Sequence, residues 1–181
     1  MAFVYHGSTV QNLTEIIPHK NRLIYAVKDK TISAMFIRDT RRGHGSFSRS
    51  IGHEQGIPFI VERYKNALDD LYKNVSGSIY VLQDSSFMPD KLKWQMVSKD
   101  KQPVIQEIKI NDVKEFLIDL EKQNKLKIYC YPSRPKFIPQ DDSDLIKQVL
   151  SFNSPDKLQE FREIFPDLYE KHKEILDKIK V

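Results

Sequence analysis

The first hydrophobic run, Phe3-Val4-Tyr5, is short and is followed by the turn-prone Gly7-Ser8-Thr9, which predicts a strand with His6 at its exit. Leu23-Ile24-Tyr25-Ala26-Val27 predicts a second strand. Asp29 then stands where it can cap a helix carrying Ile32, Met35 and Phe36 on one face. From Arg38 to Gly56 the periodicity stops. Gly43, Gly45, Gly52 and Gly56 alternate there with serines and with Arg38, Arg41, Arg42 and Arg49, so the stretch reads as a long mobile loop.

Pro58-Phe59-Ile60-Val61-Glu62 predicts another strand, residues 66–72 a short helix, and Gly77-Ser78-Ile79-Tyr80-Val81-Leu82 a buried strand. Residues 94–98 and 104–110 are two further strand candidates. Asn111 or Asp112 can cap a helix bearing Val113, Phe116, Leu117 and Leu120, and residues 126–131 read as a last strand stopped by Pro132. Residues 132–139 are proline-rich and suit a linker or arm. Past Asp144 the pattern is helical: Ser154 is a cap with Pro155 in the first turn, and Leu158, Phe161, Ile164, Phe165, Leu168, Ile175 and Ile179 supply an apolar face. Strands and helices segregated in this way predict an α+β fold, with a body over residues 1–131, a linker or arm over 132–143, and C-terminal helices over 144–181 packed on the body.

Composition narrows the class. The 181 residues are 40% hydrophobic and 30% charged, which suits a folded globular chain with one core and excludes general disorder. No apolar run approaches the roughly 18 residues of a membrane span, and the first residues lack a signal-peptide pattern. Cys130 is the only cysteine, so no internal disulfide can form and a reducing, cytoplasmic address is expected. The net charge of +4 gives a modest preference for anions. His19, His44, His53 and His172 show no metal-ligand spacing with Cys130 or an acidic pair, and no Ser-His-Asp set is defensible, so neither a metal nor a hydrolase triad is expected.

The first forty residues carry the chemistry. His6-Gly7-Ser8 at a strand end, Tyr25-Ala26-Val27 in the next strand and the helical segment after it resemble the ADP-ribosyltransferases. The order Tyr80-Val81-Leu82, Phe87, Trp94-Gln95-Met96-Val97-Ser98 and Pro103-Val104 is also similar to small bacterial members of that group, so the resemblance spans residues 3–110. It implies a split antiparallel β-sandwich with flanking helices and a pocket between the sheets. In that pocket NAD, as substrate, would be cleaved at its nicotinamide–ribose bond and ADP-ribose passed to an acceptor that the sequence does not name.

The resemblance also implies residue roles. His6 would hydrogen-bond a ribose hydroxyl, Gly7 would clamp the carboxamide of nicotinamide through its backbone, and Tyr25 would stack on the nicotinamide ring. Ser8 and Arg38 join His6, Gly7 and Tyr25 as expected NAD-binding residues, Arg38 by forking onto phosphate oxygens. The family's later-strand glutamate, whose charge favours the oxocarbenium-like transition state, falls here on Gln95, an amide that can hydrogen-bond the same hydroxyl without supplying charge. Glu62, Asp84 and Glu107 are the acids that could substitute, against the plainer reading of each as a surface carboxylate.

Two other functions stay open on these residues. One is an inactive module that binds NAD or ADP-ribose and has lost the acid. The other is an enzyme similar to the RNA 2′-phosphotransferases, for which the basic loop and His6 speak. The plainest alternative makes His6-Gly7-Ser8 a turn, Tyr25 a core residue and the arginine-rich stretch a solvated loop.

Overall fold

The computed structural model describes residues 2–18, 23–39, 45–90, 92 and 94–179. Its strands are β1 (Phe3–Ser8), β2 (Glu15–Ile16), β3 (Ile24–Val27), β4 (Arg49–Glu54), β5 (Ile57–Glu62), β6 (Gly77–Gln83), β7 (Met88–Pro89), β8 (Gln95–Ser98), β9 (Gln102–Pro103), β10 (Gln106–Ile110) and β11 (Lys127–Tyr129). The helices are α1 (Lys30–Ala34), α2 (Ala67–Tyr72), α3 (Val113–Lys122), α4 (Ser143–Phe152), α5 (Pro155–Ile164), α6 (Pro166–Lys171) and α7 (Lys173–Leu176). The fold is α+β, and its main sheet is antiparallel in the order β10-β6-β1-β3-β8-β7. A second sheet, β11-β5-β4, contains one parallel pairing, β11 with β5, so the antiparallel rule holds for all but that strand.

The main sheet is buried on both faces. On one, Val27 and Ile79 meet Ile32, Met35 and Ile37 from the α1 segment, Leu71 and Tyr72 from α2, and Val113 and Leu117 from α3. On the other, Val4, Ala26, Tyr80, Leu82 and Met96 pack under Ile16 and Phe87. Period-2 alternation along β1, β3 and β6 feeds both cores, each fully buried aliphatic side chain contributing about 1.5–3 kcal/mol. Ile60 of β5 joins the first core while its neighbours Phe59 and Val61 face Ile138, so the proline-rich arm lies packed against β5.

Local chemistry explains the boundaries. Asp29 accepts from the backbone N–H of Thr31 and Ile32 to start α1, and Asp112, rather than Asn111, caps α3 through Glu115 N–H. Ser154 occupies the cap position of α5 without a side-chain bond, so Pro155 in the first turn does the work of starting that helix.

Four expectations change. Strand β1 continues through Ser8, because its whole length from Phe3 to Ser8 pairs with β6; His6-Gly7-Ser8 is strand, and the turn begins after it. The stretch expected to be loop contains β4, whose small polar residues hide a strand that closes on β5 through Gln55-Gly56, both at positive φ as a two-residue hairpin turn requires. Arg41, Arg42 and Gly43, also assigned to that loop, lie outside the described residues, as do His19 and His44. Phe36 turns outward at 40% exposure instead of sharing the buried face of Ile32 and Met35, and Ile175 is likewise exposed although it had been assigned to an apolar face.

Glycine is essential where α1 crosses β1. A Cβ on Gly7 would stand 2.2 Å from the Ser33 carbonyl oxygen, and one on Gly77 of the paired strand 2.3 Å from the Ser8 carbonyl oxygen. Both obstacles are backbone, which cannot swing aside. The C-terminal helices form their own core around Phe47, Leu145, Val149 and Phe161. They are tied to β5 by Arg63, which is 1% exposed and donates to Asp144 at 2.6 and 2.7 Å, to Asp142 at 2.8 Å and to the Ser50 hydroxyl at 2.9 Å. Burial would push the Asp144 carboxyl up, but hydrogen bonds and charge from Arg63 outweigh it and hold the group below its ordinary value.

Gly7→Ala is expected to destabilise the fold by about 1–3 kcal/mol through this overpacking, seen as a lower thermal midpoint; an unchanged midpoint would show that α1 can retreat from β1. The lowered Asp144 pKa contributes stability that is present above its unfolded value of 3.8 and lost as pH falls through the folded value. Asp144→Asn is expected to destabilise the protein at neutral pH, by denaturant titration, and to lose that deficit in acid below 3.8; an equal deficit at both pH values would dissociate the effect from the ion pair.

Candidate functional site at the open seam of the main sheet

The pairing of β1 with its two neighbours is unequal. With β6 it is continuous, whereas with β3 it is confined to Tyr5 opposite Val27. Continuing that register would set Gly7 opposite Tyr25, yet these residues are unpaired, and the ring of His6 reaches the Tyr25 carbonyl instead, Nδ1 to oxygen at 2.7 Å. A cavity of about 410 Å³ opens along this seam, lined by Tyr5, His6, Gly7, Tyr25, Ala26, Val27, Phe36, Arg38 and Gln95.

A carbonyl can only accept, so His6 Nδ1 carries the proton and Nε2 of the neutral ring is left as an acceptor. Burial lowers the His6 pKa, and the bond to the Tyr25 carbonyl, which favours the charged ring, offsets only part of this. Tyr25 is 49% exposed, which removes it from the core and leaves its ring available to a flat partner. Gln95, opposite Val27 on β8, brings an uncharged amide.

Arg38 is held by the exit of α1. Tyr72 donates its hydroxyl to the Met35 carbonyl at 2.7 Å, Arg49 Nη2 donates to the same oxygen at 3.1 Å, and Asp39 N–H donates to the Leu71 carbonyl at 3.0 Å. Burial and then the neighbouring Arg49 charge lower the Arg38 pKa; Tyr72 and Glu160 act in the opposite sense. Among the described residues that line the cavity, Arg38 brings a cation and no carboxylate faces it.

No family model, curated protein or solved structure matches the chain.

The fold thus gathers His6, Gly7, Tyr25, Arg38 and Gln95 around one cavity from β1, β3, the α1 exit and β8. Ser8 is not among the lining residues; its hydroxyl accepts from Val10 N–H at 3.1 Å and shapes the turn after β1. Gly7 has a reason that the sequence reading did not supply: its missing side chain makes room for α1, on the Ser33 side.

None of the three alternative acids lines the cavity. Glu62 is buried rather than a surface group, and its carboxylate accepts from Leu68 N–H at 2.8 Å and Tyr131 N–H at 2.9 Å. Glu107, on β10, accepts from Ser78 Oγ, Asn12 N–H and Tyr80 Oη, a hydrogen-bonded role that lowers its pKa. Asp84 starts the short 3₁₀ turn after β6. Phe36 was missed as a pocket residue because helical spacing put it on one face with Ile32 and Met35. Among the described residues no group of three or more His, Cys, Asp and Glu side chains gathers into a metal site, and no helix is long and apolar enough to cross a membrane.

His6 is expected to titrate below its ordinary 6.5 in the folded protein, read from its ring proton shifts by NMR. Because the fold resists the proton that the unfolded chain accepts, His6 makes the protein less stable as pH falls below 6.5, and His6→Gln is expected to flatten that slope. A titration midpoint at or above 6.5 would contradict the half-buried, carbonyl-bound ring.

Proposed function

We propose that the seam pocket binds NAD or an ADP-ribose-bearing ligand, as in the ADP-ribosyltransferases, and that the α+β body is a variant of their split β-sandwich. The observation that carries this reading is the convergence of His6, Gly7, Tyr25, Arg38 and Gln95 on one cavity where β1 and β3 part. A cavity of about 410 Å³ is within the range of small-molecule sites and large enough for a nicotinamide riboside portion, with the rest of the ligand at the mouth.

In this reading nicotinamide stacks on Tyr25, and its carboxamide meets the Gly7 backbone, which the seam leaves without a β3 partner. A ribose hydroxyl donates to His6 Nε2. Cleavage of the nicotinamide–ribose bond builds positive charge on the ribose, and holding the reactant rigidly lowers the barrier even where charge stabilisation is weak. Gln95 can fix the ribose without offsetting that charge.

A second reading follows from that lining: with no carboxylate among the described residues of the cavity, the protein is a binding module that retains the ligand and does not turn it over. The two readings share the pocket and differ in the reaction.

Calorimetric titration with NAD is expected to give saturable binding that Tyr25→Ala weakens about fivefold, the loss of one stacking contact of about 1 kcal/mol. Absence of binding at millimolar NAD would overturn the assignment. Gln95→Glu is expected to raise the rate of nicotinamide release, followed by mass spectrometry, by restoring a charge worth on the order of tenfold or more. Turnover by the wild type selects the enzyme over the binding module, and an unchanged rate in Gln95→Glu would move the acid elsewhere.

A further inference from the structure

The mouth of the pocket carries side chains that the nicotinamide reading leaves idle. Phe36 is 40% exposed directly after a helix whose other apolar residues are buried. Trp94, the only tryptophan of the chain, is half-buried beside it, the two ring centroids 6.2 Å apart with planes inclined at 38°. Phe36 lines the cavity, and Trp94, which also packs against the first core, stands beside it, so the two rings make an aromatic pair at the cavity's edge.

Cations border the same pair. The Arg49 guanidinium lies 5.9 Å from the Phe36 ring centroid, and Arg38 lines the cavity next to Phe36. Burial and then the Arg49 charge disfavour the Arg38 cation, with Tyr72 and then Glu160 acting in the opposite sense. Arg49 Nε is buried with no hydrogen-bond partner, although its Nη2 is used on the Met35 carbonyl. Such a guanidinium pair can offer forked donors to an anion.

An aromatic pair flanked by arginines offers what a nucleotide unit needs: a π-face for the base and forked donors for the phosphate. An acidic peptide would satisfy the arginines and leave both rings without a flat partner. The chain's net charge of +4 favours a polyanion.

We propose that Phe36, Trp94, Arg38 and Arg49 form a binding site for single-stranded nucleic acid, the base stacking on the two rings and the backbone phosphate on the two guanidiniums, and that this strand is the acceptor of the seam pocket's reaction. The acceptor role rests on the function proposed above; the binding site does not. In the transfer, the bond between ribose C1′ and the nicotinamide nitrogen breaks with its electron pair leaving on nicotinamide. A nitrogen or oxygen lone pair of the nucleic acid forms the new bond to C1′ and that atom releases its proton to water. No oxidant or reductant is involved.

The full chain is titrated with fluorescein-labelled oligodeoxythymidine and oligouridine, following anisotropy and the emission of Trp94, which as the sole tryptophan reports directly on the aromatic pair. Expected are saturable binding, quenching of Trp94, and an affinity that falls with salt at a slope of about 0.7 per phosphate contact. Phe36→Ala is expected to weaken binding about fivefold or more, and Arg38→Gln to lower the salt slope by about one contact. Phe36 is exposed, so its truncation spares the core, and the Arg38→Gln salt slope gives a readout that does not depend on ring packing.

No binding at low salt, equal binding of duplex, displacement by polyglutamate as effective as by oligonucleotide, or an affinity unmoved in both variants would each overturn the site. NAD calorimetry on the same samples separates the two proposals. NAD binding without oligonucleotide binding removes this site and leaves the pocket, whereas oligonucleotide binding without NAD binding removes the acceptor role and leaves the site. Transfer is read as oligonucleotide gaining the mass of ADP-ribose in the presence of NAD; nicotinamide release with oligonucleotide of unchanged mass overturns the acceptor role.

Discussion

The contact on which the site depends is the close approach of α1 to the central strand. The Ser33 carbonyl oxygen stands where a side chain of residue 7 would begin, and Ile37 fills the equivalent space over Gly77. With both glycines in place, Ile32, Met35 and Ile37 reach the sheet and become fully buried. The next residues, Phe36 and Arg38, are thereby delivered to the cavity. A larger residue at position 7 would lift the helix, and with it one wall of the pocket, so packing and site geometry cannot be varied independently here.

The second constraint is electrostatic. The seam between β1 and β3 is spanned by the His6 ring, which takes a position that backbone pairing would otherwise fill. Arg38 lines the same cavity and feels the charge of the neighbouring Arg49. The C-terminal helices hold the segment before β4: Glu160 accepts from Ser46 N–H, Gln148 donates to the Ser46 carbonyl and Lys157 to the Ser46 hydroxyl. They are themselves fastened through Arg63 to Asp142 and Asp144, with Asp144 in the first turn of α4, where a carboxylate also complements the helix dipole. The helical layer is thus a brace for the segment leading into β4 as well as a hydrophobic cover.

Such a pocket favours planar, anionic ligands over others of equal size. Its polar groups are few and fixed: an imidazole committed to one tautomer, a strand backbone not paired with β3 beyond Tyr5 and an amide on β8. Each asks for a specific counterpart, and leaving any unpaired in a complex costs on the order of 1–3 kcal/mol. Selectivity follows from that cost more than from the apolar area covered.

Much of the fold was legible in the sequence because local physics sets it. Alternating apolar residues located β1, β3, β5, β6 and β8, and Asp29 and Asp112 announced α1 and α3 through the oxygen atoms that cap them. His6, Gly7 and Tyr25 were singled out by their resemblance to the ADP-ribosyltransferases, and the fold brings the three to one cavity. Strand β4 was not legible, since Ser50, Gly52 and His53 carry too little hydrophobicity to mark a pairing that only β5 imposes. Nor was the burial of Glu62, which depends on Leu68 and Tyr131 bringing their N–H groups to it. The resemblance named Arg38, Gln95 and His6 together, but the cavity that joins them, the outward turn of Phe36 and the second reason for Gly7 came from the tertiary structure alone. They depend on which backbones lie side by side, and a linear pattern records the periodicity of a segment without recording what is packed against it.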